Sequence, residues 1–182
     1  FIAMNKMILC LSIVLFYSCQ PNQDHSMLDI QGHRGCRGLL PENTIPSFLK
    51  AIDIGVTTIE MDIVISGDGH VIVSHESYMN HEICTKPSGD TVSRGEESNY
   101  NLYEMDYDSI RLYDVGMKTH PRFKGQQKIK VFKPLLSAAI DSIEAHIAIN
   151  KLNPTQYNIE IKSSKYGDNR YHPEPEEYVD RL

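Results

Sequence analysis

The chain has 182 residues, 41% of them hydrophobic, and a formal net charge of −6, which is material for one globular domain of ordinary composition. The acidic balance argues against non-specific nucleic-acid binding, which needs a basic face. No stretch reaches the roughly 20 apolar residues of a membrane-spanning helix.

The N-terminus differs from the rest. Met4-Asn5-Lys6-Met7, followed by an apolar run over residues 8–17, has the form of a secretory signal, with Met4 as the start and Phe1-Ile2-Ala3 upstream of it. Ser18-Cys19 comes next, then a polar linker over residues 20–27. The small residue before a cysteine resembles the lipobox of bacterial lipoproteins. Cys19 is then the lipidated first residue of a mature protein exported to the periplasm or cell surface and held at the membrane by its lipid. A plain cleaved signal and a buried N-terminal strand are the alternatives. Cys10 leaves with the signal. Export permits a disulfide between Cys36 and Cys84, but sequence does not fix their separation.

Residues 28–31 read as a short strand running into Gly32-His33-Arg34-Gly35, where the glycines allow a sharp turn. Pro41-Glu42-Asn43-Thr44 opens a helix, with Asn43 or Thr44 as cap and Pro46 in the first turn. Ile45, Phe48, Leu49 and Ile52 share one helical face, and Gly55 is the stop. Residues 57–65 form a strand with Ile59, Met61 and Ile63 on one face and Glu60 and Asp62 on the other. Asp68-Gly69 between two apolar runs predicts a hairpin. A two-residue turn there would pair Ser66 with Val71 and Asp62 with His75. Residues 76–132 are polar and poorly periodic, an excursion of functional or disordered type with one weak helix over residues 103–112. Pro134 opens a helix whose apolar stripe is Leu135, Leu136, Ala139, Ile140, Ile143 and Ile147, ended by Asn153-Pro154. Residues 157–162 form a strand with Ile159 and Ile161 on one face and Asn158, Glu160 and Lys162 on the other. Pro175-Glu176-Glu177 begins another helix. Strands alternating with helices predict a parallel sheet with helical covers, and in a parallel barrel the sites lie at the C-terminal strand ends.

Glu60, Asp62 and Glu160 fall on the polar faces of two strands whose other faces are apolar. Three carboxylates facing one space repel unless a cation joins them, and an all-oxygen set suits Ca²⁺ or Mg²⁺. Arg34 can pair with a phosphate bidentately and Lys162 can add a point charge. Histidine is the side chain suited to exchanging protons at neutral pH, and His33 and His75 lie at the ends of two strands. Each piece alone has a plainer explanation: a solvated strand face, a surface histidine, a cross-strand ion pair between Glu160 and Lys162.

Together, His33-Arg34-Gly35, Pro41-Glu42-Asn43-Thr44, Phe48, Ala51, Gly55, Glu60-x-Asp62, Asp68-Gly69, Val73, His75 and Glu160-Ile161-Lys162 resemble the glycerophosphodiester phosphodiesterase family over residues 30–162. The resemblance implies a (β/α)8 TIM barrel of which residues 28–182 hold only the N-terminal part, with residues 76–132 as an insertion. It implies His33 and His75 as the acid/base pair, Glu60, Asp62 and Glu160 as ligands of a divalent cation, and Arg34 and Lys162 as phosphate contacts. The resemblance also implies that the substrate's own glycerol hydroxyl attacks the phosphate to release an alcohol and form a cyclic intermediate, which water opens to glycerol 3-phosphate. Glu76 stands where the family has aspartate. A barrel needs about 250 residues, so this chain by itself is expected to be inactive or to aggregate. Two other functions compete. One is a phospholipase-like enzyme on intact lipids, which would favour apolar loops at the site. The other is a non-catalytic surface lipoprotein, which would be expected to lose a histidine or carboxylate.

Overall fold

The computed structural model describes residues 28–182; the signal, Cys10, Cys19 and the linker lie outside them. The order is β1 (Gln31–Gly32), α1 (Ile45–Ile54), β2 (Thr58–Ile65), β3 (Val71–Val73), two single turns of 3₁₀ helix (Glu97–Asn99 and Leu102–Glu104), α2 (Tyr107–Ile110), α3 (Leu136–Asn150), β4 (Gln156–Ile161) and α4 (Pro175–Asp180). β2 is the central strand. β4 runs parallel along one edge of it with Asp62 opposite Glu160, while β1 and the antiparallel β3 share the other edge.

The helices form where the spacing puts them, with different caps. Thr44 is the N-cap of α1, but its hydroxyl donates back to the Pro41 carbonyl (2.6 Å) and leaves the helix amides alone. Asn43 does not cap at all; its amide goes to Asp62. Gly55 closes α1 at φ 96°, as expected of a left-handed C-cap. α3 ends at Asn150 with Lys151 in the left-handed region, before Asn153-Pro154 is reached. Phe48, Ala51 and Ile52 of α1 and Ala139, Ile143 and Ile147 of α3 meet Ile59, Met61 and Val73 of the sheet in one core. Burying that many aliphatic side chains, at about 1.5–3 kcal/mol each, is what holds the helices on the strands.

The hairpin register is one residue off the two-residue expectation. Ile63 pairs with Val73 and Ile65 with Val71, and Ser66 N–H donates to the His70 carbonyl (2.9 Å). The loop is therefore Gly67-Asp68-Gly69, with Gly69 at φ 83°. A three-residue loop ending in a left-handed glycine is the usual alternative to a two-residue turn. Ser74, not His75, thus lies against Asp62, its N–H donating to the Asp62 carbonyl (2.9 Å).

The 76–132 excursion is neither disordered nor merely polar. Met79, Cys84, Val92, Leu102, Ile110 and Val115 join Val64 and Ile72 in a second core. The expected helix over residues 103–112 is reduced to the Leu102–Glu104 turn and α2, capped by Asp106 on Ser109 N–H (2.7 Å). Beyond it the chain doubles back, with Val115 N–H donating to Val131 (2.8 Å) and Ile129 N–H to Gly116 (3.3 Å), so that residues 117–128 form a strap. Cys36 and Cys84 are free and belong to different cores. Among the described residues no helix is long and apolar enough to cross a membrane.

Candidate active site

The site is assembled around the middle of β2, beside the C-terminal ends of β1 and β4. Period-two alternation puts Glu60 and Asp62 on one face, and the parallel register with β4 sets Glu160 directly beside Asp62. One oxygen from each of the three carboxylates lies within 4.8 Å of the others, an arrangement able to hold an ion. All three sequence-predicted acids therefore come together, two buried and Glu160 exposed. Lys162 bridges the cluster: its ammonium is 2.8 Å from Asp62 Oδ1 and 2.5 Å from Glu160 Oε1. A cation thus already finds its best position between these carboxylates. Hard oxygen donors at this spacing fit Ca²⁺ or Mg²⁺ and offer nothing a soft metal prefers.

Burial and the neighbouring Asp62 charge raise the Glu60 carboxyl above its ordinary range, against the opposing pull of the Arg34 N–H (2.6 Å). Asp62 is also pushed up by burial, but Lys162, Asn43 and Arg34 outweigh that and hold it below its ordinary range. The pair is a mixed one, which a divalent charge would settle in favour of two carboxylates.

The turn after β1 delivers Arg34. Gly35, at φ 80°, packs so closely on Ser47 that a Cβ would lie 2.5 Å from its Oγ, and Arg34 itself is held at φ 54°. A non-glycine residue in that region is strained, and such strain gathers at functional sites. The Arg34 side chain turns inward, with Nη1 donating to Glu42 (2.7 Å) and Nε 3.2 Å from Asp62. Its expected role as a free phosphate clamp is thus joined to a structural one.

The two histidines differ. His33 is exposed, with Nε2 3.9 Å from Glu60. Its Nδ1 is 3.3 Å from Arg37 Nη1, and since arginine only donates, Nδ1 accepts and the proton of the neutral ring sits on Nε2. His75 Nδ1 is 2.7 Å from Glu76, whose carboxyl is lowered chiefly by that hydrogen bond. A carboxylate only accepts, so His75 carries its proton on Nδ1 and leaves Nε2 bare.

Sequence reasoning missed several partners. Asn43, itself at φ 54°, donates to Asp62 Oδ2 (2.8 Å). Glu42 collects Arg34 (2.7 Å), Arg37 (3.2 Å) and the buried His120 (3.4 Å). Lys133, 5% exposed, donates to Ser74 Oγ (2.7 Å), and Ser74 donates on to the Glu76 carbonyl (2.7 Å), which fixes the turn that carries His75. A cleft of about 220 Å³ opens beside Glu160 and Lys162, walled by Ser77, Tyr171 and His172. The only sequence signal for any of these was the Pro41–Thr44 run, read as a cap.

Residues 33–173 match the Glycerophosphoryl diester phosphodiesterase family. A glycerophosphodiester phosphodiesterase of Caldanaerobacter subterraneus is 30% identical over 95 residues, 52% of this chain and 34% of that protein. One from Bacillus altitudinis is 26% identical over 140 residues, 77% of this chain and 47% of that protein. The chain thus spans about a third to a half the length of these relatives. Among solved structures, a putative glycerophosphoryl diester phosphodiesterase from Silicibacter pomeroyi superimposes with a TM-score of 0.71 at 28% identity, over 86% of this chain and 52% of that one. A phosphodiesterase from Oleispira antarctica, solved with the product sn-glycerol-3-phosphate, shares the fold at a TM-score of 0.55 and 24% identity, over 79% of this chain and 48% of that one. These neighbours are TIM-barrel enzymes, and the sheet described above is the N-terminal part of such a barrel. The carboxylate cluster, the turn that bears His33 and Arg34, and the strand-end His75 all fall within the matched residues, and the chain belongs to the glycerophosphoryl diester phosphodiesterase family.

Proposed function

We propose that the protein hydrolyses glycerophosphodiesters to glycerol 3-phosphate and an alcohol, with a divalent cation held by Glu60, Asp62 and Glu160. The observation that carries this reading is the gathering of those three carboxylates within 4.8 Å at one sheet end, flanked by two histidines of opposite tautomer. When bound, the ion would neutralise charge on the phosphoryl oxygens in the transition state.

The chain's own residues supply the rest. His75, with Nε2 bare and Nδ1 anchored on Glu76, takes the proton from the attacking glycerol hydroxyl. His33 donates a hydrogen bond from Nε2–H to the leaving oxygen as it develops charge. Water supplies the proton of the departing alcohol and the hydroxide that opens the cyclic phosphate, whose freed oxygen takes back the proton held by His75. Lys162 leaves its bridge between Asp62 and Glu160 to meet a phosphate oxygen, and Arg34 stabilises the carboxylate frame as well as the anion. The polar excursion, with its apolar residues turned into a core of its own, disfavours intact lipids as substrate. Retention of both histidines and all three carboxylates disfavours a purely binding role. We also propose that the protein is exported and anchored through a lipid on Cys19, which mass spectrometry of the membrane fraction would detect.

The test is assay of the full-length protein on glycerophosphocholine with and without chelator. Turnover abolished by chelator and lowered about 10²–10⁴-fold, to a measurable remainder, by His33→Ala and by His75→Ala is the expected result. Binding without turnover, or turnover indifferent to both substitutions, overturns the reading.

A further inference from the structure

Arg37 lies outside the motifs that carry the family resemblance, yet both terminal nitrogens of its guanidinium and its flat face are committed. It is 11% exposed, its Nη2 is 3.2 Å from Glu42 Oε2 and its Nη1 is 3.3 Å from His33 Nδ1. The guanidinium stacks on Phe123 at 5.1 Å. Phe123 comes from the strap over residues 117–128, which is itself tied to the same turn: Gln126 Nε2 donates to the Arg37 and Leu40 carbonyls (2.8 and 2.9 Å), and Gln127 N–H donates to Leu39 (2.8 Å). The strap clamps Arg37, and Arg37 ends on a histidine that is otherwise exposed and whose other nitrogen faces Glu60.

We propose that Arg37 is a positioning residue for His33: clamped between Glu42 and Phe123, it donates to Nδ1, fixing the ring's orientation and holding its proton on Nε2, the nitrogen that faces the carboxylate cluster. A free imidazole exchanges both tautomers and turns about its side-chain bonds. A planar, always-protonated donor on one nitrogen removes both freedoms. The strap thereby acts on the reacting end of the molecule through Arg37. The catalytic consequence rests on the function proposed above; the geometric one does not.

The experiment is ¹⁵N NMR of the histidine rings in the full-length protein, joined to kinetics on glycerophosphocholine. His33 should show a bare Nδ1 and a protonated Nε2. Arg37→Met should move both nitrogens toward the tautomer mixture of an unstructured peptide, and Arg37→Lys, which keeps a donor, should restore them in part. Phe123→Ala, which leaves the Glu42 ion pair in place, should shift them in the same direction, so that a misfolded Arg37→Met does not leave the matter open. In turnover, Arg37→Met should lower kcat about tenfold with KM little changed, and should cost nothing further in a His33→Ala background, as residues acting through one another are non-additive. His33 resonances unchanged in both Arg37→Met and Phe123→Ala, or an Arg37→Met loss that persists in full without His33, overturns the proposal. The resonances are read without turnover, so a protein that hydrolysed nothing would defeat the functional reading and still leave this one decided.

Discussion

Glu42 sits under two guanidiniums, those of Arg34 and Arg37, and the imidazole of His120, and is itself largely buried. Burial pushes its carboxyl up, but the two guanidiniums and the histidine outweigh that and hold it below the ordinary value of 4.5. A carboxylate lowered by folding contributes stability that is present above its unfolded pKa and lost as pH falls through the folded one. Glu42→Gln should therefore lower stability by about 3–5 kcal/mol at neutral pH, since it takes the carboxylate from Arg37 and leaves Arg34 with Asp62 alone. The deficit should begin to shrink below about pH 4.5, where the carboxyl of the unfolded chain takes up its proton, and go on shrinking as pH falls through the lower folded value. Denaturant titrations at pH 7 and pH 3.5 read this directly, and an equal deficit at both would refute it. Lys133 makes the opposite case. Its buried ammonium has a hydroxyl, Ser74 Oγ, as its hydrogen-bond partner, so Lys133→Met relieves a costly burial while releasing the Ser74–Glu76 turn. Thermal stability should rise by a few degrees, on the order of 1 kcal/mol, and turnover should fall; a lower melting temperature would contradict this. His33, Glu60, Asp62, His75, Glu160 and Lys162 were legible in the sequence because strand alternation and strand ends point them to one place. Asn43, Glu42 and Lys133 were not. Capping explained Asn43 locally, Glu42 was noticed only as part of the run that opens α1, and a lysine beside Phe132 and Pro134 gives no hint that it is buried.

At the scale of elements, the hairpin is where pattern and structure part by one residue. Asp68-Gly69 signalled the turn correctly, but alternation could not choose the loop length: a one-residue slip turns every side chain of β3 to the other face, and Val71, Ile72 and Val73 are apolar at every position. The distinction lies in Gly69, whose φ of 83° ends the longer loop. Gly69→Ala should cost about 1 kcal/mol or more, because alanine must be forced into that region. A Cβ there would also lie 2.3 Å from Arg181 Nη1, the mobile end of a long side chain that can withdraw. Shift of the urea midpoint measures the cost, and a neutral substitution would mean that the loop can relax to two residues. The excursion was misread for a related reason. Its apolar residues, Met79, Cys84, Val92 and Leu102, are too scattered for any helix or strand period, yet they converge through turns on Val64 and Ile72. Periodicity reports regular elements, and an irregular core has none to report. Leu102→Ala, fully buried there, should cost about 2–5 kcal/mol.

The molecule as a whole places its most exposed ligand on its least protected strand. Among the described residues β4 pairs only with β2, so its outer backbone groups meet no strand. Ile161 is half-exposed, and Glu160 keeps 58% of its side chain in solvent. In the parallel register the N–H groups of Gln156 and Lys162 point to β2, donating to Thr57 and Ile63 at 2.9 and 3.1 Å. Alternation then turns those of Tyr157, Ile159 and Ile161 outward, and such a row is a template for another strand. The cluster, meanwhile, has Glu160 as its third carboxylate, and solvent on that side would weaken both the hold on a cation and the field it exerts. The isolated 182-residue chain should therefore associate through β4 and should show no soluble turnover of glycerophosphocholine. Light scattering across a concentration series should register growing assemblies that Ile161→Lys disperses, since a charge on an exposed edge opposes strand addition. Dispersal without recovery of activity would assign the missing function to the open face beside Glu160 and not to aggregation. Clear turnover by the unmodified chain would mean that β2 and β4 suffice for the cluster, and that the open edge is harmless.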